Sequence, residues 1–122
     1  MPYSTGIVTN TRFIGTAASS VVVSTRNIDV INSTTVTVHI FASVNSSVFY
    51  TAYLTSYVVA ANSFDVRSFS IGGNVAYEVQ LSSSTTSALF TVTGLDEFGN
   101  LTEDQRIPQA ELIFIPTLSP VI

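Results

Sequence analysis

Stretch after stretch of this chain alternates apolar and polar residues with a period of two. No helix-length window carries a 3.6-residue period. Val36, Val38 and Ile40 alternate with Thr35, Thr37 and His39. In residues 48–60, Tyr50, Ala52 and Leu54 oppose Phe49, Thr51 and Tyr53. Val75, Tyr77, Val79 and Leu81 share one face, with Glu78 and Gln80 on the other. Residues 21–25 and 28–31 form one or two strands around Arg26-Asn27. In residues 64–71, Phe64 and Val66 lie on one phase and Phe69 and Ile71 on the other, which predicts a β-bulge near Arg67-Ser68. Asn45-Ser-Ser47 and Gly72-Gly-Asn74 read as turns. About eight strands with turn signals every ~8–12 residues predict an all-β chain, a two-sheet antiparallel sandwich of jelly-roll type.

The strongest single unit is a long hairpin built from residues 88–101 and 107–115. Ala88, Phe90 and Val92 alternate with Leu89, Thr91 and Thr93, and Asp96-Glu-Phe-Gly-Asn100 turns the chain. Gly99 and Asn100 tolerate positive φ. Phe98 is expected to anchor this turn in the core. Thr102-Glu-Asp-Gln-Arg106 is expected to form at most one helical turn, capped by Thr102 and stopped by Pro108.

A chain of 122 residues suffices for one domain with a real core. Only 10% of residues are charged, against about 25% in ordinary soluble domains. Ser and Thr, about a quarter of the chain, make up the polar surface instead. Copies of such a chain repel one another weakly, which suits dense self-packing. All four basic residues are arginines, and the net charge is −4. That leaves no basic stripe for a phosphate backbone, so nucleic acid is not an expected partner. Lysine is also a common guard of sheet edges, and its absence points to edges that pair. Cysteine is absent, which excludes disulfides and thiolate metal sites. No apolar run approaches the ~18 residues of a membrane helix. The start, Met1-Pro-Tyr-Ser-Thr-Gly6, lacks the charged and apolar regions of a secretory leader, so synthesis without one is expected.

Catalytic and metal chemistry find little support. His39, the single histidine, has no nucleophile or orienting carboxylate at a useful local spacing, and a surface or sheet-edge position is expected for it. Asp96-Glu97 and Glu103-Asp104 bracket the hairpin turn, but their spacing is not that of a calcium loop. A solvated acidic turn, paired with Arg106, fits better. Asn32-Ser-Thr34, Asn45-Ser-Ser47 and Asn100-Leu-Thr102 match a glycosylation pattern that is frequent by chance in Ser/Thr-rich sequence. The expectation is a protein that is not an enzyme and takes no cofactor.

Tyr77-Glu-Val-Gln-Leu81, the Ser/Thr run to Ser87, residues 90–101 with Phe98-Gly-Asn-Leu101, Arg106 and Ala110-Glu-Leu112 resemble subunits of bacterial endospore appendages. These are pilus-like fibres on spores of Bacillus and related Firmicutes. The likeness covers roughly the last 40 residues, while the remainder agrees only in strand pattern. It implies a jelly-roll subunit whose N-terminal connector docks in a preceding subunit, with lateral edge-strand augmentation building a helical fibre. One class of these fibres is cross-linked through cysteines; this cysteine-free chain looks like the thinner, non-covalent type. The implied partners are further copies of the chain and the fibre's anchor and tip proteins, with no membrane. The implied location is the spore surface, the protein being made in the mother cell.

On this reading residues 1–19 are connector and hinge and residues 20–122 the sandwich. Tyr3, Ile7, Val8 and Phe13 are the expected contacts with neighbouring subunits, and Gly15-Thr-Ala-Ala-Ser-Ser20 the hinge. The competing arrangement makes Ile7-Val8 simply the first strand of its own sandwich. Two other function classes remain open: a trimeric jelly-roll domain of the spore surface, and a small carbohydrate-binding module served by the strand aromatics.

Overall fold

The computed structural model describes residues 1–122, with ten strands, one 3-10 turn and no α-helix. In chain order the strands are β1 (Pro2–Ser4), β2 (Val8–Thr9), β3 (Ser20–Asn27), β4 (Thr34–Ser43) and β5 (Tyr50–Val59). They continue as β6 (Phe64–Ser70), β7 (Ala76–Ser83), β8 (Ala88–Leu95), β9 (Leu101–Ile107) and β10 (Ile113–Phe114), with the 3-10 turn at Gln109–Glu111. One sheet has the order β10-β1-β7-β4-β5, with β2 also on β7; the other has the order β6-β3-β8-β9. Every pairing is antiparallel, and the two sheets form a β-sandwich.

The alternation in the sequence predicts the core. Val21 and Val23 of β3, Val36, Val38 and Ile40 of β4, Tyr77, Val79 and Leu81 of β7, and Phe90 and Val92 of β8 point between the sheets and are fully or almost fully buried. Burial of each large aliphatic or aromatic side chain contributes roughly 1.5–3 kcal/mol. The β-branched valines and Ile40 among them suit the pleated backbone.

Five local expectations need correction. First, β6 runs in unbroken register with β3, so no bulge marks Arg67-Ser68. The phase conflict is resolved by leaving Phe64 and Val66 exposed and turning Asp65, Arg67 and Phe69 inward. The Arg67 guanidinium lies 3.8 Å from the centroid of the Tyr57 ring. Second, Ser20–Asn27 is a single strand, and residues 28–31 form an exposed loop.

Third, the return strand of the hairpin begins at Leu101, and Thr102 to Arg106 lies within β9 rather than in a helical turn. The ladder pairs Thr93 with Arg106 and Leu95 with Leu101, so residues 102–105 bulge opposite Gly94 alone. Asp104 takes a positive φ there. Gln105 folds inward over Gly94, where a Cβ would lie 3.0 Å from Gln105 Cβ and 3.2 Å from Ala18 Cβ. Fourth, the hairpin does not continue through residues 113–114, which cross to the other sheet and pair with β1.

Fifth, His39 is buried, not at the surface. It points to the outer face of its sheet, but the C-terminal segment crosses that face. Ser119 N donates to Gln80 Oε1 at 2.8 Å, Gln80 Nε2 donates to Ser119 Oγ at 2.9 Å, and Ile122 N donates to Thr51 Oγ1 at 3.1 Å. Gln80 is buried by the same strap.

Candidate assembly surfaces

In the single chain, the first nine residues do not stand apart as a connector. Tyr3 pairs with Leu81 of β7 and Phe114 of β10, and Val8 pairs with Tyr77. The Tyr3 ring meets Phe90 and Phe114 edge-on, at centroid distances of 6.4 and 5.9 Å. Tyr3 and Val8 pack against the core, whereas Ile7 is exposed. Within the single chain the sandwich therefore includes residues on the N-terminal side of position 20; its first strand is Pro2–Ser4, Val8 opens the second, and Ile7 lies in neither.

The small-residue tract expected to be a hinge is also held. Asn10, fully buried, receives Ala18 N at 2.7 Å and Gln105 Nε2 at 2.9 Å on its Oδ1. Its Nδ2 donates to Ala18 O and Asn74 O at 3.0 and 2.9 Å. A buried amide with every lone pair and proton engaged is a fixed node, because any opening strands several polar groups away from water. Gly15 does take a left-handed conformation, with φ +74°. It serves a turn closed by a bridge between Thr11 and Thr16.

That turn ends in Phe13, which is 100% exposed, and Ile14 beside it is 75% exposed. Arg12 braces it: Nε donates to Ile14 O at 2.6 Å and NH2 to Glu97 Oε1 at 2.8 Å. This ion pair holds the Glu97 carboxyl below its ordinary range and raises Arg12. The hairpin turn at residues 96–100 is thereby tied to residues 11–16. Asp96 Oδ1 accepts from Phe98 N and Asn100 N, both at 2.9 Å, and Gly99 has φ +81°. Glycine's conformational freedom is used at Gly99, but Phe98 is 80% exposed and anchors nothing in the core. The acidic turn pairs with Arg12, not Arg106.

The sheet edges differ sharply. β10 is two residues long, and β9 carries Glu103, Asp104, Arg106 and the bulge. β6 carries Asp65 and Arg67, paired at 2.9 Å. Short length, charge and bulges are the usual guards of an edge. β5 is the least guarded over its ten residues: it has no charge, no proline and no glycine, a strand partner on one side only, and Leu54 and Val58 exposed. Its one irregularity is near its start, where Ala52 is skipped between the Ile40–Tyr53 and Phe41–Thr51 pairs. The sequence carried a signal for this, since no Asp, Glu, Lys or Arg occurs between Asp29 and Asp65.

His39 makes one side-chain hydrogen bond, Nε2 to Thr51 Oγ1 at 3.0 Å, and its ring lies 4.0 Å from that of Phe41. Burial lowers its pKa, while the Ser119 backbone and Glu78 push the other way. Neutral, and partnered by a hydroxyl itself engaged with the C-terminal strap, it is placed as a packing residue. No three His, Asp or Glu side chains converge to hold a metal ion. Beside His39 lies a shallow cavity of about 230 Å³ lined by Ile7, Phe41, Phe49, Glu78, Ser119 and Ile122. No protein-family model, curated protein or solved structure matches this chain.

Proposed function

We propose that the chain is a structural, non-catalytic subunit of a helical, pilus-like fibre on the surface of bacterial endospores. The observation that carries self-assembly is β5, a ten-residue edge without charge, proline or glycine in a chain with only 10% charged residues. The endospore setting rests on the likeness of residues 77–112 to appendage subunits. An edge of that kind is a template for a strand from another copy, with main-chain hydrogen bonds giving affinity.

The N-terminal segment supports the head-to-tail half of the reading. β1 and β2 together supply five paired residues on β7. An identical neighbour offers the same β7, so exchanging the segment between copies preserves its contacts, and an exchange that does not close on itself makes an open filament. In the alternation of the chain between sheets, only β4–β5 and β8–β9 form same-sheet hairpins among β3 to β9. That crossing pattern supports the jelly-roll form of the sandwich.

Electron microscopy of the purified full chain tests the reading. Filaments are expected, and their loss is expected in a Leu54→Lys/Ser56→Lys variant that charges the exposed side of β5 while leaving the core untouched. Discrete trimers or monomers of the wild type at all concentrations would overturn it.

A further inference from the structure

Resting on the reading of self-assembly, we propose that residues 11–16 of one copy seat Phe13 in the outer cavity of a second copy, against Ile7, Phe41, Phe49 and Ile122. The chain carries both halves of this contact. Phe13 touches nothing in its own subunit, being 100% exposed at the tip of a braced turn. The cavity of about 230 Å³ on the outer face of the first sheet is lined mainly by apolar side chains and open to solvent. Phe41 forms its floor, buried, and Phe49 is half-buried at its wall.

Charge identifies the occupant as another copy. The tip carries Arg12 next to Phe13, and the Arg12 side chain keeps 41% of its surface exposed even with Glu97 bound. The cavity is lined by one carboxylate, Glu78, and by no basic residue. The aromatic tip matches the apolar socket, and Arg12, its charge partly offset by Glu97, keeps exposed surface to face the Glu78 carboxylate, which in its own subunit accepts from Ser4 and Gln80. The tip is also prepared for binding. The Thr11–Thr16 bridge, the Arg12 brace and the left-handed Gly15 fix its shape before contact, so little ordering entropy is lost on docking. Because tip and socket are different surfaces, the contact is heterologous and repeats from copy to copy.

The chain has no cysteine, so single thiols report the contact directly. Ile14→Cys and Val48→Cys chains, which keep Phe13 and Phe49 and place thiols at exposed neighbouring positions, purified separately and mixed before oxidation with diamide, are expected to form the mixed 14–48 disulfide between chains. Ile14→Cys alone should give only background dimer. The Phe13→Ser variant, altering a side chain with no intramolecular contact, should keep the wild-type melting temperature and need at least about tenfold more protein to assemble. If the wild type assembles but Phe13→Ser assembles equally well, or the 14–48 disulfide fails to form, the tip-in-socket contact is wrong while fibre formation stands. A wild-type chain that stays monomeric overturns both. Co-sedimentation of the wild type with phosphatidylcholine vesicles, lost in Phe13→Ser, would also overturn the contact by giving the tip a membrane to enter.

Discussion

The side chains of Asn10 and Gln105 are 95 positions apart in sequence and joined by a 2.9 Å hydrogen bond inside the protein. Tyr77 extends the link by donating its hydroxyl to Gln105 Oε1 at 2.6 Å. Burial pushes the Tyr77 phenol well above its ordinary range, so it stays protonated and remains a donor. This network ties the N-terminal segment, β7 and β9 together at one end of the sandwich.

Asn10→Leu should therefore be among the most damaging single changes. It removes the partners of the Ala18 N–H and of one Gln105 amide proton while both stay buried, at roughly 1–3 kcal/mol for each stranded group. A loss above about 2 kcal/mol in urea unfolding is expected. A variant within 0.5 kcal/mol of wild type, as for an ordinary surface change, would show that the network is dispensable.

Gly94 and Gly99 should respond to substitution for different reasons. Alanine at Gly94 adds a Cβ against Gln105 and Ala18 in a packed interior, with an expected cost of roughly 1–3 kcal/mol. At Gly99 a Cβ meets nothing within 4 Å, so Gly99→Val loses stability only through its φ of +81°, by about 1–2 kcal/mol. Phe98→Ser, next door and exposed, should change stability by no more than about 0.5 kcal/mol. Thermal melts of the three variants give the order; a Phe98→Ser that melts earliest would contradict it.

His39 predicts a pH dependence. Its folded pKa lies below the ordinary histidine value, so the unfolded chain takes up the proton first as pH falls. Stability from this residue is complete above about pH 6.5, the unfolded value, and is lost as pH drops through that value and then through the folded pKa. His39→Gln should flatten this part of the stability profile. A wild-type profile without a fall below pH 6.5 that His39→Gln removes would contradict the assignment.

The residues that sequence pattern reveals are those whose partners are set by the pleat itself. Val36, Val38 and Ile40, or Ala88, Phe90 and Val92, need only alternate to declare a buried face. His39 and Gln80 lie on the opposite phase, and their burial depends on a strap some 40 to 80 residues away. No local spacing encodes that. Phe64, Val66 and Phe98 fail in the other direction, because hydrophobicity predicts burial only where something covers the face. Thr102-Glu-Asp-Gln-Arg106 reads as a helical turn because Thr102 can cap it and Pro108 can stop it, yet the ladder on either side makes it a bulge, with Gln105 folded over Gly94 of the opposite strand. The β5 edge was legible in composition as an absence of charge, but which strands became edges required the topology.

The Arg12–Glu97 pair should control the shape of the exposed tip without controlling the fold. Both side chains are about 40% exposed, so solvent screens the pair and its effect on global stability is small. Its local effect is larger, because Arg12 is also the donor that closes the turn on Ile14 O. Glu97 has a lowered carboxyl pKa in the folded state. Its contribution is thus present above the unfolded value of about 4.3 and lost as pH falls through the folded pKa. Glu97→Gln should mimic acid at neutral pH: an unchanged melting temperature within about 2 °C, but faster amide exchange at Ala17, whose N–H bonds Asn10 O at the base of the turn. If the tip is what docks, this variant should also slow assembly, and added salt should weaken the wild-type difference. Equal exchange at Ala17 in wild type and Glu97→Gln would mean that the Thr11–Thr16 bridge alone fixes the turn, with the ion pair idle.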